Sequence, residues 1–475
     1  MSIKVHQIDF HRLDMQTRFP FRYGIASMSE VPHLFVRMHV EIDNQMWQGT
    51  SSEGLPPKWF TKNSETDFMT DDLPEMLTVI RQAAHFARTG DLHRDFFSWW
   101  MDLSEQQLAW TAENGTPPLL ANLGVSLMER AALDATCRQQ KASFSSVLRE
   151  NRLGIDLSAI RSHLAGMRPS DILPTQPRSR VQLRHTVGLG DPLTDLDIPN
   201  DEKLEDNLPH SLTSSIDRYG LRYFKIKLSG NLEADLPRMQ VLSQLLRERV
   251  GDSMRFTLDG NEQYATMAKF HDHWQELNGD ASIRRMVDDS LLFVEQPVHR
   301  DAALLPEVKE TFLDWQDAPP VIIDESDADI DSLPTALKLG YAGTSHKNCK
   351  GILKSVAALG TIKKEQSVTR QLILSAEDLG NIGPVALLQD LAVVAALGIT
   401  HVERNGHHYF AGLSMFPAPI QDQTARDHPD LYQRNTSGLL ALQPSHGQLH
   451  LDSVNDAPLG VSQQIDLQHF PRWNL

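Results

Sequence analysis

The sequence predicts an α/β protein in which a (β/α)8 barrel follows a smaller α+β domain. Three observations lead there. From about Arg180 onward, eight short strand-like runs occur, most of them separated by helical patterns. Before that point the chain opens with long alternating runs and then turns helical. No Gly-rich phosphate fingerprint follows the first strand of the alternating part, which sets aside a doubly wound open sheet.

Taken in order, "IKVHQIDFHRLDM" and "LFVRMHVEIDNQMWQGT" (Leu34 to Thr50) alternate like antiparallel strands, with a turn at Asp43 and Asn44. Helices are predicted at Pro74 to Arg88 and Leu119 to Gln139, where apolar residues recur at three and four. This α+β domain occupies residues 1–150. The polar, Pro- and Asp-rich stretch Asp191 to Glu205 reads as a loop insertion that delays the helix of the first connection. The barrel strands are "RVQLRHTVGL", "YFKIKL", "RFTLDGN", "LLFVEQP", "PVIIDES", "GTSHKNC", "QLILSAE" and "THVERN". Helical patterns such as Leu236 to Gly251 and Pro384 to Gly398 lie between them, as right-handed crossovers require.

Composition narrows the function. With 475 residues and 40% hydrophobic content, the chain can bury a large core and exceeds one minimal domain. A formal charge of -17 argues against nucleic acid or an anionic membrane surface as partner, so an anionic substrate needs a local Lys or Arg cluster. Cys137 and Cys349 are the only cysteines, too few for a disulfide framework or a thiolate metal site. The N-terminal residues lack an apolar core of signal-peptide type, and the longest apolar run, Leu391 to Ile399, is too short to span a bilayer. A cytoplasmic, reduced protein is expected.

In "YFKIKL" the two lysines share one face of the strand, while Phe224, Ile226 and Leu228 take the other. Other strands also end in polar residues: Asp259 and Asn261, Glu295, Asp324 and Glu325, Lys347, Glu377 and Asp378, and Glu403. Barrel active sites lie at these C-terminal ends, so the groups converge on one mouth. Asp259, Glu295 and Asp324 come from strands three, four and five, and three adjacent carboxylates call for a cation. Oxygen-only ligands suit Mg2+, with Mn2+ as the alternative ion. Lys227 and Lys347, on strands two and six, flank that cluster. A lysine close to a divalent cation and to a second lysine is expected to have a lowered pKa, which makes Lys227 a candidate base and Lys225 its electrostatic tuner.

These residues resemble the enolase superfamily, in its mandelate racemase/muconate-lactonizing branch. "KIK" is similar to the K-x-K of strand two, and "LDGN", "VEQP" and "IDES" to the three metal-ligand strands. "HKNCKG" resembles the K-x-x-K-G run whose first lysine is the second acid/base, and "SLMERAALDATCRQQ" the last helix of the capping domain. "HGQLHLDSVNDAPLGV" resembles the return of the chain to that cap. The resemblance implies a modified barrel at 151–420 under a cap formed by 1–150 and the C-terminal segment 421–475. It implies Asp259, Glu295 and Asp324 as Mg2+ ligands, Lys227 and Lys347 as bases, and Asn261 and Glu325, with Glu377 and Asp378, as supporting groups. It also implies a homo-oligomer, a small carboxylate substrate, and abstraction of the proton α to the carboxylate.

The chain departs from the pattern in three places. Strand seven, "ILSAEDLGN", lacks the histidine of the mandelate-racemase-like branch, and "HVERNGHHYF" lacks the D-x-D of dipeptide epimerases. The cap's G-x-G-E turn appears as "WQGTSSEGLPPKWF". Loops Phe19 to Ser27 and Ser51 to Phe60 offer Arg22, Tyr23, Lys58 and Trp59 to the pocket. His407 is a further pocket candidate, although paired loop histidines such as His407 and His408 are commonly exposed. His346 is expected to pack on a helix, Cys349 to be a small filler, and Lys350 and Lys354 to belong to the next helix, with Lys350 able to help bind an anion. The reaction stays open between racemisation or epimerisation and β-elimination or cycloisomerisation, including acid-sugar dehydration. A metal-independent Schiff-base aldolase and a non-catalytic binding protein are the alternatives of other classes.

Overall fold

A computed structural model describes all 475 residues. The N-terminal alternation becomes a three-stranded antiparallel sheet of β1 (Ile3–Tyr23), β2 (Ala26–Ile42) and β3 (Gln45–Gly54). Asp43 and Asn44 both take positive φ, 50° and 62°, in the two-residue turn that suits the twist of paired strands. The first hairpin is longer than the alternation indicates. Phe19 to Ser27, expected as a loop, is its tip, with Phe21 opposite Met28 and Tyr23 opposite Ala26. A register shift between Gln16 and Phe21 breaks the period-two pattern and hides the strand.

Three helices cover the sheet: α1 (Leu73–Thr89), α2 (Phe96–Glu113) and α3 (Pro118–Gln140). The first and third match the apolar spacing. The second does not emerge from it, because the doublets Phe96-Phe97 and Trp99-Trp100 blur the three-and-four period. Its start is nonetheless encoded, since the Asp95 side chain accepts from Ser98 N in a capping box. Helix α3 is buried along most of its length, including Glu129, Arg130 and Asp134. It touches β3 at Gly49, where a Cβ would sit 1.9 Å from Ala131 O and 2.6 Å from Ala135 N.

All eight expected barrel strands are present: β4 (Arg180–Val187), β5 (Tyr223–Lys227), β6 (Arg255–Asp259), β7 (Leu291–Glu295), β8 (Val321–Ile323), β9 (Gly343–His346), β10 (Ile373–Ala376) and β11 (His401–Arg404). They pair in parallel in the order β10-β9-β8-β7-β6-β5-β4-β11. No backbone ladder joins β10 to β11. Side chains bridge that seam, with Arg404 Nη1 donating to Asp378 Oδ2 at 2.9 Å.

The C-terminal segment ties the two parts together. Gln448–His450 pairs antiparallel with β4, Trp473 N donates to Phe10 O at 2.9 Å, and Arg138 Nη2 donates to Val461 O at 2.9 Å. One apolar core runs through sheet, helices and barrel. The insertion at Asp191 to Glu205 carries two short 3-10 turns, and the loop around it is pinned by Tyr409 on Asp191 and Arg18 on Asp206. No helix is long and apolar enough to cross a membrane.

The β3–α3 contact yields a direct test. Gly49→Ala should destabilise the protein by roughly 3 kcal/mol or more, because the added methyl meets backbone rather than a movable side chain. Gly279→Ala, which opens onto free space, should stay within about 0.5 kcal/mol of wild type in the same denaturant titration.

Candidate active site

Strand register builds the site. Lys227 pairs with Asp259, and Asp259 with Glu295, so one row of side chains crosses β5, β6 and β7 at their C-terminal ends. Glu295 pairs with Ile322, and alternation then turns Asp324 inward, two residues further on. The same parity points Ser345 and Lys347 inward from β9, and Ser375 and Glu377 from β10. Strand β11 pairs Glu403 with Arg184 and completes the ring.

Lys225 sits one layer below the mouth and is 2% exposed. Its ammonium lies 2.8 Å from Asp259, 2.8 Å from Glu295, 2.7 Å from Glu377 and 2.8 Å from Glu403. Lys227 donates to the same Asp259 oxygen at 2.6 Å. Lys347 donates to Asp324 at 2.5 Å and to Glu377 at 3.0 Å, and its ammonium stands 5.2 Å from the centre of the Trp59 ring. Arg184 Nη2 donates to Glu377 at 2.7 Å, and Lys350 to Asp324 at 3.0 Å.

At Lys225 and Lys347 the protein's own groups act in the direction opposite to the lowering that a divalent cation would bring. Burial works to lower Lys225, but Asp259, Glu295, Glu377 and Glu403 outweigh it and hold its pKa well above the ordinary value. Lys347 is likewise raised against burial by Asp324, Glu377 and Glu295. The reason is that carboxylates outnumber cations around each ammonium. Among the carboxyls, burial and then Asp259 and Glu377 push Glu295 well above its ordinary value. Glu377 goes the other way and is held well below its ordinary value, because Lys225, Lys347 and Arg184 overcome the effect of burial.

Glu295, Asp324 and Glu377 each bring a carboxylate oxygen within 4.8 Å of the others. The third member of this closest group is therefore Glu377, expected only as a supporting residue. Asp259, expected as a ligand, has its carboxylate turned to Lys225 and Lys227. Glu295 Oε2 is buried and accepts no hydrogen bond, since Lys225 approaches it outside hydrogen-bonding geometry. Three hard carboxylate donors converging within 4.8 Å fit a divalent ion such as Mg2+.

The other expected residues divide into two groups. Tyr23, Trp59, Asn261 and Asp378 line the same narrow space as Lys225, Lys227, Asp259, Asp324 and Lys347. Tyr23 OH donates to Pro57 O at 2.8 Å, and Asn261 has its Oδ1 buried without a partner. Glu325 is buried beside this ring, with its Oε2 unpartnered.

Arg22, Lys58 and His407 do not join that wall. Arg22 is exposed and lies against Gly190 on the far side of the hairpin. Lys58 pairs with Asp72 at 2.7 Å inside the cap. His407 and His408 are buried rather than exposed, and His407 Nε2 lies 3.0 Å from His185 Nδ1. A polar dipeptide in a loop carries no sign of such burial. His346 packs on the next helix as expected, 2.7 Å from Ser355 Oγ, and Cys349 is buried. Lys350 is no surface helix residue, because it reaches back to Asp324.

Sequence reasoning places Glu403 at the mouth but gives no role to Arg184, Thr186 or Asn405. Thr186 donates to Glu403 Oε1 at 2.5 Å, and Asn405 Nδ2 donates to the same oxygen at 3.2 Å, while Asn405 keeps an unpartnered Oδ1. The parity of Arg184 and Thr186 with Lys225, and of Glu403 with Asn405, was the available signal.

No family model matches the chain, and no curated protein matches its sequence. Solved structures do match. A muconate lactonizing enzyme from Mucobacterium smegmatis, complexed with muconolactone, is 20% identical over 99% of this chain and 100% of that one, with a TM-score of 0.57. A dipeptide epimerase from Enterococcus faecalis, complexed with Mg and L-Leu-L-Tyr, is 16% identical over 94% of this chain and 100% of its own, with a TM-score of 0.57. An N-succinyl Arg/Lys racemase from Bacillus cereus is 14% identical over 97% of this chain and 98% of its own, with a TM-score of 0.58. The fold is thus the one these three enzymes share, with an antiparallel cap over a barrel.

A set of buried carboxyls makes stability depend on pH. Burial pushes Glu325 up to about 8, Glu129 to about 7, and Asp378 and Asp390 to about 6. A carboxyl with a folded pKa above its unfolded value stabilises fully below the unfolded value, and that contribution is lost as pH rises through the folded one. Buried histidines, among them His33, His346, His401 and His407, are held down to about 3 and oppose this slope below their unfolded value, so in EDTA the melting temperature should fall between about pH 6.5 and pH 8.5. Glu325→Gln should flatten the upper part of that profile; a wild-type profile already flat would contradict the assignment.

Proposed function

We propose that this chain is an enolase-superfamily enzyme that removes the proton α to a carboxylate and returns a proton to the resulting carbanion. The observation that carries this reading is the placement of Lys227 and Lys347 in one cavity, each on its own aspartate, on opposite sides of a buried carboxylate cluster. A lysine on either side of a bound substrate can take the proton from one face and deliver it to the other. Glu295, Asp324 and Glu377 would hold the metal, with Asp259 next to them. Mg2+, when bound, supplies positive charge that stabilises the negative charge developing on the substrate carboxylate.

The protein's own groups do the remaining work. Arg184 and Lys225 fix Glu377 from below, and Lys347 reaches the same carboxylate from the end of β9. Tyr23 and Trp59 bring the cap hairpin and the loop after β3 over the cavity, where they exclude water and strengthen electrostatic contacts inside. The substrate is a small carboxylate whose remaining part meets Asn261, Asp378 and Asn405. The absence of a D-x-D on strand eight disfavours dipeptides.

Racemisation or epimerisation is the reading two lysines favour. One-base elimination or cycloisomerisation is the second reading, and the Trp59 ring over Lys347 favours it, because a ring face stabilises an ammonium ion that serves as acid or electrostatic partner.

The test is NMR in D2O on a panel of α-substituted carboxylates, comprising acid sugars, N-acyl amino acids and dipeptides, with Mg2+ or with EDTA. Mg2+-dependent exchange of the α-proton is expected, lower by a factor of about 1,000 or more in Lys227→Ala and Lys347→Ala. Exchange from both enantiomers identifies the two-base reaction, and accumulation of an unsaturated or cyclised product the one-base reaction. Exchange unaffected by EDTA would defeat the metal-assisted mechanism.

A further inference from the structure

The helix Ile352–Glu365 begins immediately after the segment that carries Lys347. Its N-cap is Gly351, at φ 102°, which has no side chain to receive the first free N–H groups. The acceptor comes from the cap. Glu129 on α3 receives Ile352 N at 2.8 Å and Leu353 N at 2.8 Å, one on each carboxylate oxygen. Glu129 is fully buried, and burial pushes its pKa up to about 7, so the contact is kept despite a desolvation cost.

What this contact holds is the far end of a short stretch. Lys347 follows the last residue of β9, and a single 3-10 turn, Asn348–Lys350, separates it from the helix. The β9 ladder fixes one end and Glu129 the other. The neighbouring residue on α3 does the matching task in the cap. Arg130 Nη2 donates to Glu53 at 2.8 Å and Arg130 Nη1 to Ser52 O at 2.8 Å, holding the end of β3. From there the chain runs through Leu55 to Trp59, whose ring stands over the Lys347 ammonium. Two consecutive buried residues of one helix therefore grip the segment below Lys347 and the loop above it.

We infer that Glu129 is a positioning residue for Lys347, and that α3 is a strut that makes the placement of this lysine depend on the docked cap. The role of Lys347 in chemistry rests on the function proposed above; the local ordering by Glu129 does not. A generic packing residue would serve as well if uncharged and could be replaced by glutamine without local effect. A carboxylate offers two oxygens, one to each helix N–H, whereas glutamine offers a single uncharged acceptor and a nitrogen that cannot accept.

The test pairs two readouts on full-length Glu129→Ala and Glu129→Gln, with Lys347→Ala in parallel. Backbone amide exchange by mass spectrometry should be faster by about tenfold or more at 347–353 in Glu129→Ala, with β5 and β6 unchanged. In the α-proton assay, kcat for the face served by Lys347 should fall by about tenfold to a hundredfold, with KM nearly constant and the opposite face spared. Glu129→Gln should recover part of both effects. Amide exchange that rises evenly over the chain would overturn the inference, as would local loosening that leaves Lys347-dependent turnover intact. Unimpaired turnover in Lys347→Ala would remove the proposed role of that lysine and the positioning claim with it, while local loosening would still report the cap contact.

Discussion

The buried charge balance in the barrel throat is the constraint on which the rest of the structure depends. Asp259, Glu295, Asp324, Glu377 and Glu403 face one another across the barrel, against Lys225, Lys227, Lys347, Lys350 and Arg184. Isolated, each such charge would cost several kcal/mol to bury. Together they form a network in which every carboxylate meets at least one cation. Lys225 is its centre, because a single ammonium binds carboxylates from four different strands. Truncating it would leave those groups facing one another, whereas truncating Lys227 removes one contact to Asp259.

This arrangement exists only because the barrel is parallel and its strand ends are in register. One row places Lys227, Asp259 and Glu295 side by side, and the shift between β8 and its neighbours brings in Asp324 two residues later. The apolar residues of alternate parity, such as Phe224, Ile226, Leu258 and Val294, are buried and anchor the strands. The cap completes the site from outside. Its hairpin tip and the loop after β3 roof the cavity, and α3 joins that roof to the segment behind Lys347.

Much of this was legible in the sequence, for physical reasons that can be named. The eight strands were readable because each is a short apolar run ending in charged groups, and their order alone predicted convergence at one mouth. Lys227, Lys347, Asp259, Glu295 and Asp324 do line or adjoin one cavity. What escaped depended on distances that no spacing encodes. Glu377, and not Asp259, shares with Glu295 and Asp324 a group of oxygens all within 4.8 Å of one another, while Asp259 pairs with Lys225 and Lys227. At Lys225 and Lys347 carboxylates from distant strands dominate, which no spacing in the sequence encodes either. Arg22 and Lys58 were placed in the pocket from loop membership, yet hairpin twist turns Arg22 outward and Asp72 captures Lys58. The burial of His407 and His408 follows from the insertion loop folding over them, which their local sequence does not show.

The most direct measurement is calorimetric titration of Mg2+ into EDTA-stripped protein, with Glu295→Gln, Asp324→Asn, Glu377→Gln and Asp259→Asn compared under the same conditions. Binding of one ion per chain, weakened by a factor of about 10 to 100 or more in each of the first three variants, is the predicted result. The Asp259→Asn variant then decides whether that carboxylate is a ligand or only the partner of the two lysines. No heat of binding and no rise in melting temperature with Mg2+ would contradict a divalent-metal site in this barrel, and with it the proposed chemistry.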